Sequence, residues 1–240
     1  MSFDAKNILE GLNERQREAV TYMDGPVLIL AGAGSGKTKT LTHRIAYLVA
    51  LGIKAENILA VTFTNKAAGE MRERVAKLLG MGGYLPILGT FHSVCLRILR
   101  QDIEPLGYTK RFVIYDAGDQ LDLVKQALEA HQLDPKKFNP KTLLGKISKL
   151  KSELVSTESF NDKAKEYTEK ILASVYDYYQ NQLKTNNSLD FDDLIGHCVL
   201  LFKKEPKILE KYQDTFRYIL VDEYQDTNHA QYVWTNLLAK

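Results

Sequence analysis

The chain has 240 residues, 45% of them apolar, and its 32 Lys and Arg residues against 30 Asp and Glu residues leave a net charge of only +2. This length allows one large domain or two small ones. Because the net charge is so small, a polyanionic partner would have to be met by a local basic patch. No apolar run approaches the roughly 20 residues that span a bilayer, and the N-terminus has no apolar signal core, so we expect a cytoplasmic protein without a membrane partner.

The two cysteines, Cys95 and Cys198, are far apart in the sequence and belong to no CxxC pair or Cys/His cluster. The sequence therefore offers no basis for a disulfide framework or a zinc site. We predict two reduced thiols in the core.

Strand, polar turn and helix alternate along much of the chain. Short runs rich in Val, Ile and Leu predict strands at 27–33, 58–63, 85–90 and 216–221, and each of the first three leads into a helical pattern. This alternation is typical of a parallel sheet flanked by helices, so the predicted fold class is α/β.

The stretch 110–189 has a different sequence pattern, which is mainly helical. Helical spacing covers 116–131, 139–154 and 167–183, with almost no strand signal between them. A mainly aromatic stripe lies at Tyr167, Val175, Tyr178 and Tyr179, of which Tyr178 and Tyr179 are assigned to the helical core. We predict a helical insertion subdomain at 110–189 inside an α/β domain made of 1–109 and 190–240.

The segment AGAGSGKT at 31–38 fits a phosphate-binding loop, except that Ala31 stands where the strict pattern has glycine. Gly34 and Gly36 can adopt the backbone angles that turn successive N–H groups toward phosphates. Lys37 would reach the β- and γ-phosphates of ATP, and Thr38 would hold Mg²⁺ as the helix begins. A glycine-rich turn without a ligand is the alternative, and the strand before and helix after disfavour it.

Two carboxylates, Asp222 and Glu223, follow the last predicted strand directly. Asp222 could bind Mg²⁺, and Glu223 could polarise the attacking water. An acidic strand end facing solvent is the alternative, which the phosphate loop in the same chain disfavours. The wide separation of Lys37 and Asp222 in sequence independently predicts an insertion between neighbouring strands.

Six segments together resemble one family. They are LNERQREAV (12–20), AGAGSGKT (31–38), TFTNKAA (62–68), GTFHS (89–93), LDFDDL (189–194) and VDEYQDT (221–227). In this order the chain resembles the N-terminal portion of superfamily 1 DNA helicases of the UvrD/PcrA/Rep type. Ala31 is then ordinary, because that family often begins its loop in this way. The resemblance implies a RecA-like phosphate-loop NTPase domain carrying a helical insertion.

The family also implies roles for single residues. Gln16 would read the adenine edge, while Gln225 would sit near the γ-phosphate and act in catalysis with Lys37 and Glu223. The implied ATP-binding set is Gln16, Ala31, Gly32, Ala33, Gly34, Ser35, Gly36, Lys37, Thr38 and Lys39. The implied single-strand track contains Thr62, Phe63, Thr64, Asn65, Lys66, Thr90, Phe91, His92 and Phe191.

Three features of the implied DNA surface have plainer interpretations. Without the resemblance, Phe63 reads as a strand-end core residue and His92 as a surface or capping histidine. Lysines at 136, 137, 141, 146, 149 and 151 form either a solvated helix face or a phosphate-facing patch. The carboxylates of LDFDDL, taken alone, suggest a second metal site, but the resemblance implies that this segment belongs to the DNA track.

The resemblance implies an ATP- and Mg²⁺-dependent 3′→5′ helicase that acts as a monomer on single-stranded DNA and single/double-strand junctions. The family's second RecA-like domain, which supplies arginines to the γ-phosphate, has no counterpart in these 240 residues. We therefore expect this chain alone to hydrolyse ATP slowly and not to unwind duplex. A stand-alone nucleotide- or single-strand-binding module, and a helicase–nuclease arrangement, are the alternatives.

Overall fold

A computed structural model describes residues 5–32, 34–80 and 84–239. The structure forms two compact units, the first from the described residues up to Phe91 with Glu210–Asp226 and Ala239, and the second from His92–Leu209 with Thr227–Leu238. The subdomain boundaries predicted from sequence stay a prediction. In chain order the elements are α1 (Ala5–Ile8), α2 (Glu14–Thr21), α3 (Lys37–Ala50), β1 (Ile58–Thr62), α4 (Asn65–Leu79), β2 (Ile87–Thr90), α5 (Phe91–Asp102), β3 (Val113–Ile114), α6 (Ala117–Ala130), α7 (Pro140–Ser152), α8 (Thr157–Lys163), α9 (Tyr167–Thr185), β4 (Ser188–Leu189), α10 (Phe191–Lys204), α11 (Pro206–Thr215), β5 (Tyr218–Val221) and α12 (His229–Leu238).

The first unit is built on a parallel three-stranded sheet in the order β2-β1-β5. The α/β fold class with a parallel sheet is thereby confirmed, as are the strands predicted at 58–63, 85–90 and 216–221. The central strand β1 is buried along its whole length, as expected for a parallel strand covered on both faces. Helices α3 and α4 pack on it through Ile45, Leu48, Met71 and Val75, which form one apolar cluster with Ile58 and Ala60.

The strand predicted at 27–33 is wrong over the described residues. Residues 27–32 carry no strand pairing, and the side chains of Leu28 and Leu30 are 69% and 85% exposed. Ala33 lies outside the described residues. An apolar run indicates a preference for burial, whereas a strand also needs a hydrogen-bonded neighbour, and composition says nothing about the neighbour.

The second unit is mainly helical, and α6, α7 and α9 confirm the helices predicted at 116–131, 139–154 and 167–183. Its core includes Leu123, Ile147, Val175 and Tyr179. Tyr167, predicted to belong to the same stripe, is 71% exposed because it opens α9, whose buried residues begin only at Ile171.

A short parallel pair, β3 with β4, also lies in the second unit. Two-residue strands are too short to show any periodicity, so the sequence could not predict them. Cys95 and Cys198 are buried and free, which confirms the prediction of core thiols, and the Trp234 Nε1 atom donates to Cys198 Sγ at 3.2 Å. Over the described ranges, every helix is too short or too polar to cross a membrane.

Candidate functional site

The turn that precedes α3 depends on glycine at two positions. Gly34 and Gly36 have φ angles of +75° and +88°, in the left-handed region that favours glycine. A Cβ atom at Gly36 would lie 2.8 Å from the Gln16 Nε2 atom, so a side chain at this position would have to push the Gln16 amide aside. Ala33 lies outside the described residues. Because α3 begins at Lys37, the N–H groups of its first turn have no acceptor within the helix and favour an anion.

Gln16 holds the phosphate loop against α2. Asn13 caps α2, its Oδ1 accepting from the Gln16 N–H at 2.9 Å, while Gln16 Oε1 accepts from the Asn13 N–H at 3.1 Å. This reciprocal capping box fixes the Gln16 side chain. Its Nε2 atom donates to the Ser35 carbonyl at 3.0 Å. Gln16 is thus placed beside the loop, and its predicted contact with adenine stays a prediction.

Lys37 and Glu223 are neighbours in the folded chain despite their separation in sequence. The Lys37 Nζ atom lies 3.2 Å from Glu223 Oε2, with the two side chains 32% and 36% exposed. The Gln225 Nε2 atom donates to the same oxygen at 2.6 Å. The hydrogen bond from Gln225 has the larger effect and that from Lys37 the smaller, and both lower the pKa of Glu223 and keep it ionised. All three residues predicted to be catalytic therefore meet.

The backbone at Glu223 is strained, with φ +50° in a residue that has a side chain. Such conformations cost free energy and persist where the surroundings impose them, most often at functional sites. The turn follows β5 directly, and Asp222 is held in register because its N–H donates to the Val61 carbonyl at 2.9 Å. The strained residue therefore lies directly after β5, at the two carboxylates that follow this strand.

Asp222 is 8% exposed, and the Thr62 Oγ1 atom donates to its Oδ2 at 3.5 Å. Burial, and then the charge of Glu223, raise the pKa of Asp222. A cation would offset both effects. The Asp222 carboxylate and the hydroxyls of Thr62 and Thr38 are hard oxygen donors of the kind that Mg²⁺ prefers, and Mg²⁺ needs few protein ligands when phosphate and water supply the others.

The remaining loop residues occupy two kinds of position. Ala31, Gly32 and Ser35 are exposed, and the Ser35 hydroxyl donates to the Gly32 carbonyl at 2.6 Å. Thr38 is half-buried in the first turn of α3. Lys39, however, donates from Nζ to the Gly11 carbonyl at 2.6 Å. It thus anchors the turn before α2, and its predicted role in holding ATP stays a prediction.

Within the first unit, the predicted DNA residues follow the carboxyl ends of β1 and β2. Thr62 and Thr90 are buried, and the Phe91 side chain, only 1% exposed, belongs to the core. The half-buried Phe63 ring packs against that of Phe91 with centroids 5.6 Å apart. Phe91 therefore supports the ring of Phe63 from the core. Of these two rings, that of Phe63 is the one that a ligand can reach.

The turn after Phe63 presents polar side chains to solvent. Thr64 caps α4, its Oγ1 accepting from the Ala67 N–H at 3.1 Å. Asn65 and Lys66 are exposed in the first turn of that helix. These three residues can offer a helix N-terminus, an amide and an ammonium group to a phosphate.

Within the second unit, the rings of His92 and Phe191 meet edge to face, with centroids 6.0 Å apart. Phe191 is 52% exposed at the first position of α10. Burial lowers the pKa of His92, so its ring is neutral at neutral pH. His92 could therefore contact DNA by hydrogen bonding or packing rather than as a cation.

The lysine patch predicted at 136–151 needs one correction. Lysines 136, 137, 141, 146 and 149 are exposed, but Lys151 is 6% exposed and lies between Asp190 and Asp193. It cannot face a phosphate. A sequence signal for this existed, since Leu143, Ile147 and Lys151 recur every four residues and so share the buried face of α7.

The chain belongs to the UvrD/REP helicase N-terminal domain family, which it matches over residues 12–240. Among curated relatives, it is 52% identical over 241 residues to the ATP-dependent DNA helicase PcrA of Bacillus subtilis (strain 168), a match covering 100% of this chain and 33% of that protein. It is 49% identical over 233 residues to the ATP-dependent DNA helicase PcrA of Staphylococcus aureus (strain Mu50 / ATCC 700699), covering 97% of this chain and 32% of that protein. The chain thus spans about a third of the length of these relatives. The resemblance predicted from the motifs is confirmed.

Proposed function

We propose that this chain is the ATP-binding part of an ATP-dependent DNA helicase that moves 3′→5′ along single-stranded DNA and unwinds duplex at single/double-strand junctions. The observation that carries the proposal is the 3.2 Å contact between Lys37 and Glu223, at the junction of the phosphate loop with β5. It brings a phosphate-binding cation and a candidate general base to one point. Family membership and the named activity of the relatives support the same function.

In the proposed reaction, the loop around Gly34 and Gly36 and the first turn of α3 bind the phosphates of ATP. Lys37 leaves Glu223 and neutralises charge on the terminal phosphate. Water then attacks the terminal phosphorus, the bond from this phosphorus to the bridging oxygen breaks, and ADP leaves. Glu223 accepts a proton from the attacking water, while Gln225 holds the carboxylate. Asp222 and Thr38 would hold Mg²⁺, which neutralises the phosphate oxygens when bound.

A motor that passes over any sequence must grip through stacking and phosphate contacts rather than base edges. Base–aromatic stacking contributes about 1–3 kcal/mol per base and tolerates every base. Phe63 in the first unit and Phe191 in the second supply partly exposed rings for this purpose. We propose that each stacks on a base of the single strand.

The curated relatives are about three times as long as this chain, so unwinding is proposed for a protein of their length. The 240 residues by themselves are proposed to bind nucleotide weakly, to hydrolyse it slowly and to act as a monomer in the cytoplasm. An arginine supplied from elsewhere to such a site contributes about 10³–10⁵ in rate. Robust DNA-stimulated unwinding by the purified 240-residue chain would contradict this.

The test of the proposal is a paired titration. Fluorescent ATP analogue and labelled oligo-dT are titrated into the 240-residue chain and into a protein of the relatives' length, and ATP turnover is measured with and without DNA. We expect both proteins to bind both ligands and only the longer one to show strong DNA-stimulated turnover. Binding without any turnover in the longer protein would instead indicate a binding module without motor activity.

Gly36→Ala is expected to weaken nucleotide binding roughly tenfold or more, because the new methyl group would displace Gln16 and deform the loop. The matched control is Gly52→Ala. Gly52 has almost the same φ angle, +89°, but nothing within 4 Å of the added Cβ. Nucleotide titration, with thermal unfolding of both variants, separates the two effects. Equal nucleotide affinity in both variants would show that the Gly36–Gln16 contact does not shape the site.

Phe63→Ala is expected to weaken single-strand affinity about 5- to 50-fold for oligo-dT and mixed sequences alike, because stacking does not distinguish bases. Tyr84→Ala is the control, since Tyr84 is an exposed aromatic residue of the same unit. Fluorescence anisotropy with several oligonucleotides gives the affinities. An effect confined to one base composition would argue against stacking, and wild-type affinity would remove Phe63 from the proposed track.

A further inference from the structure

A buried ion cluster joins α7 to the start of α10 in the second unit. The Lys151 Nζ atom lies 2.6 Å from Asp190 Oδ2 and 2.9 Å from Asp193 Oδ1. The three side chains are only 5%, 2% and 5% exposed. Burial alone would lower the pKa of Lys151, but the two carboxylates outweigh it and raise that pKa. The lysine is therefore charged, and it offsets one of the three acidic charges of LDFDDL.

Neutral groups from α9 complete the cluster. The Tyr179 hydroxyl donates to Asp190 Oδ2 at 2.8 Å, and Gln180 Nε2 donates to Asp193 Oδ1 at 3.1 Å. Burial and the Asp190 charge raise the pKa of Tyr179, so its hydroxyl stays protonated as a donor. His197, one turn after Asp193, lies 3.4 Å from the same Asp193 oxygen. Three helices thus converge on two carboxylates.

The same carboxylates form the cap of α10. Asp190 Oδ1 accepts from the Asp193 N–H at 2.8 Å, and Asp193 Oδ2 accepts from the Asp190 N–H at 3.3 Å. Each carboxylate therefore uses one oxygen for the helix cap and the other for Lys151. The first turn of α10 is fixed to the body of the unit by buried charge as well as by its own backbone.

Phe191 lies between these two carboxylates in sequence, at the first position of α10. Its ring is half exposed and is contacted edge-on by His92. A large, half-exposed apolar ring is thus carried on a turn that is held by both a capping box and a buried ion cluster. Ion pairs buried in this way are weak evidence for stability, since replacing them by apolar residues often does not destabilise, and setting one geometry is a better-attested use.

We propose that Lys151 is a positioning residue for single-stranded DNA, acting through Asp190 and Asp193 to hold the Phe191 ring ready for a base. This rests on the proposed function, in which Phe191 stacks on DNA. A ring fixed before binding loses less freedom when the strand arrives, so affinity depends on the groups that fix it. Lys151 itself touches no DNA, because it is buried beneath the turn that carries Phe191.

The test is a double-mutant cycle in the 240-residue chain with labelled oligo-dT. Phe191→Ala and Lys151→Met are each expected to weaken binding about 5- to 20-fold, within the range of one lost stacking contact. The double variant is expected to bind no more weakly than Phe191→Ala alone. Lys125→Met is the charge-matched control, since Lys125 is an exposed α6 lysine paired with Asp122, and it should bind like the unaltered chain.

Two readouts separate positioning from other roles. Removing a lysine that contacts phosphate would reduce the salt dependence of binding by about one unit of slope, whereas removing a positioning residue leaves it unchanged. Trp234 is the only tryptophan and is buried against Cys198 of α10, so its emission reports whether the unit stays folded. Unchanged emission is expected. Lost emission, with weaker binding in the Phe191→Ala background too, would mark a purely structural role and overturn the inference.

Tyr179→Phe keeps the inference testable if Lys151→Met does not fold, because it removes one hydrogen bond to Asp190 and no charge. A two- to fivefold loss of affinity, absent in the Phe191→Ala background, is expected. Wild-type affinity in both Lys151→Met and Tyr179→Phe would overturn the inference while leaving the proposed function intact. Wild-type affinity in both Phe191→Ala and Phe63→Ala would instead overturn the proposed DNA track.

Discussion

Lys37→Ala is expected to weaken ATP binding roughly 10- to 100-fold and to abolish measurable ATP turnover in a protein of the relatives' length. Charge-assisted hydrogen bonds of this kind contribute about 1.5–3 kcal/mol to binding, and more when charge develops in the transition state. The other lysine at the start of α3, Lys39, donates to the Gly11 carbonyl and so does not replace Lys37 in this task. Nucleotide titration and steady-state turnover measure the two effects separately.

The matched control for this variant is Lys54→Ala. Lys54 belongs to the same unit, and its side chain is 76% exposed, 3.9 Å from that of Glu56. The net charge changes equally in both variants, so any difference reports the site rather than the overall field. Single-strand affinity should persist in Lys37→Ala. If Lys37→Ala bound and hydrolysed ATP like Lys54→Ala, the phosphate loop would not be the nucleotide site.

Glu223→Gln is expected to stop hydrolysis, lowering turnover about 10²–10⁴-fold, while nucleotide binding persists. Glutamine keeps the shape and one acceptor oxygen, but it carries no charge to attract Lys37 and cannot accept the proton of water. Binding should even strengthen slightly, because Lys37 would no longer be held by a carboxylate before ATP arrives. Both side chains are about one-third exposed, so we expect less than about a fivefold gain.

Glu56→Gln provides the comparison for this variant, since it removes one exposed carboxylate far from the phosphate loop in sequence. Single-turnover measurements with bound ATP distinguish slow chemistry from weak binding. DNA-stimulated turnover at the unaltered rate in Glu223→Gln would assign the base to another residue. Loss of nucleotide binding in that variant would show that Glu223 shapes the pocket rather than activating water.

The arrangement of the candidate nucleotide site was predictable because the proposed chemistry requires few residue types in a fixed local order. Gly36 must be glycine, Lys37 must follow it, and a carboxylate must end a strand. The structure then places Glu223 against Lys37, a pairing that the motifs imply and no local pattern could give as a distance. What the motifs could not anticipate is that Phe91, itself predicted to contact DNA, is enclosed in the core.

Burial of charge was the least predictable feature. Lys151 looked like the last member of a solvated basic face because lysine is almost never buried without a partner, and its partners lie about 40 residues away. The strand prediction at 27–32 was wrong in the opposite sense, since Leu28 and Leu30 are apolar but exposed. In both cases the deciding contact is long-range. A local pattern carries no information about it.

The contact between Thr62 and Asp222 has a thermodynamic consequence. Thr62 Oγ1 bonds the carboxylate proposed to hold Mg²⁺, and the next residue in the chain is Phe63, proposed to stack on DNA. A shift of the end of β1 would therefore change the binding free energies of both ligands together. By reciprocity, if bound nucleotide changes the equilibrium affinity for the single strand by some factor, the strand changes nucleotide affinity by the same factor. We therefore expect the two titrations, of nucleotide with the single strand present and of the single strand with nucleotide present, to give the same coupling factor.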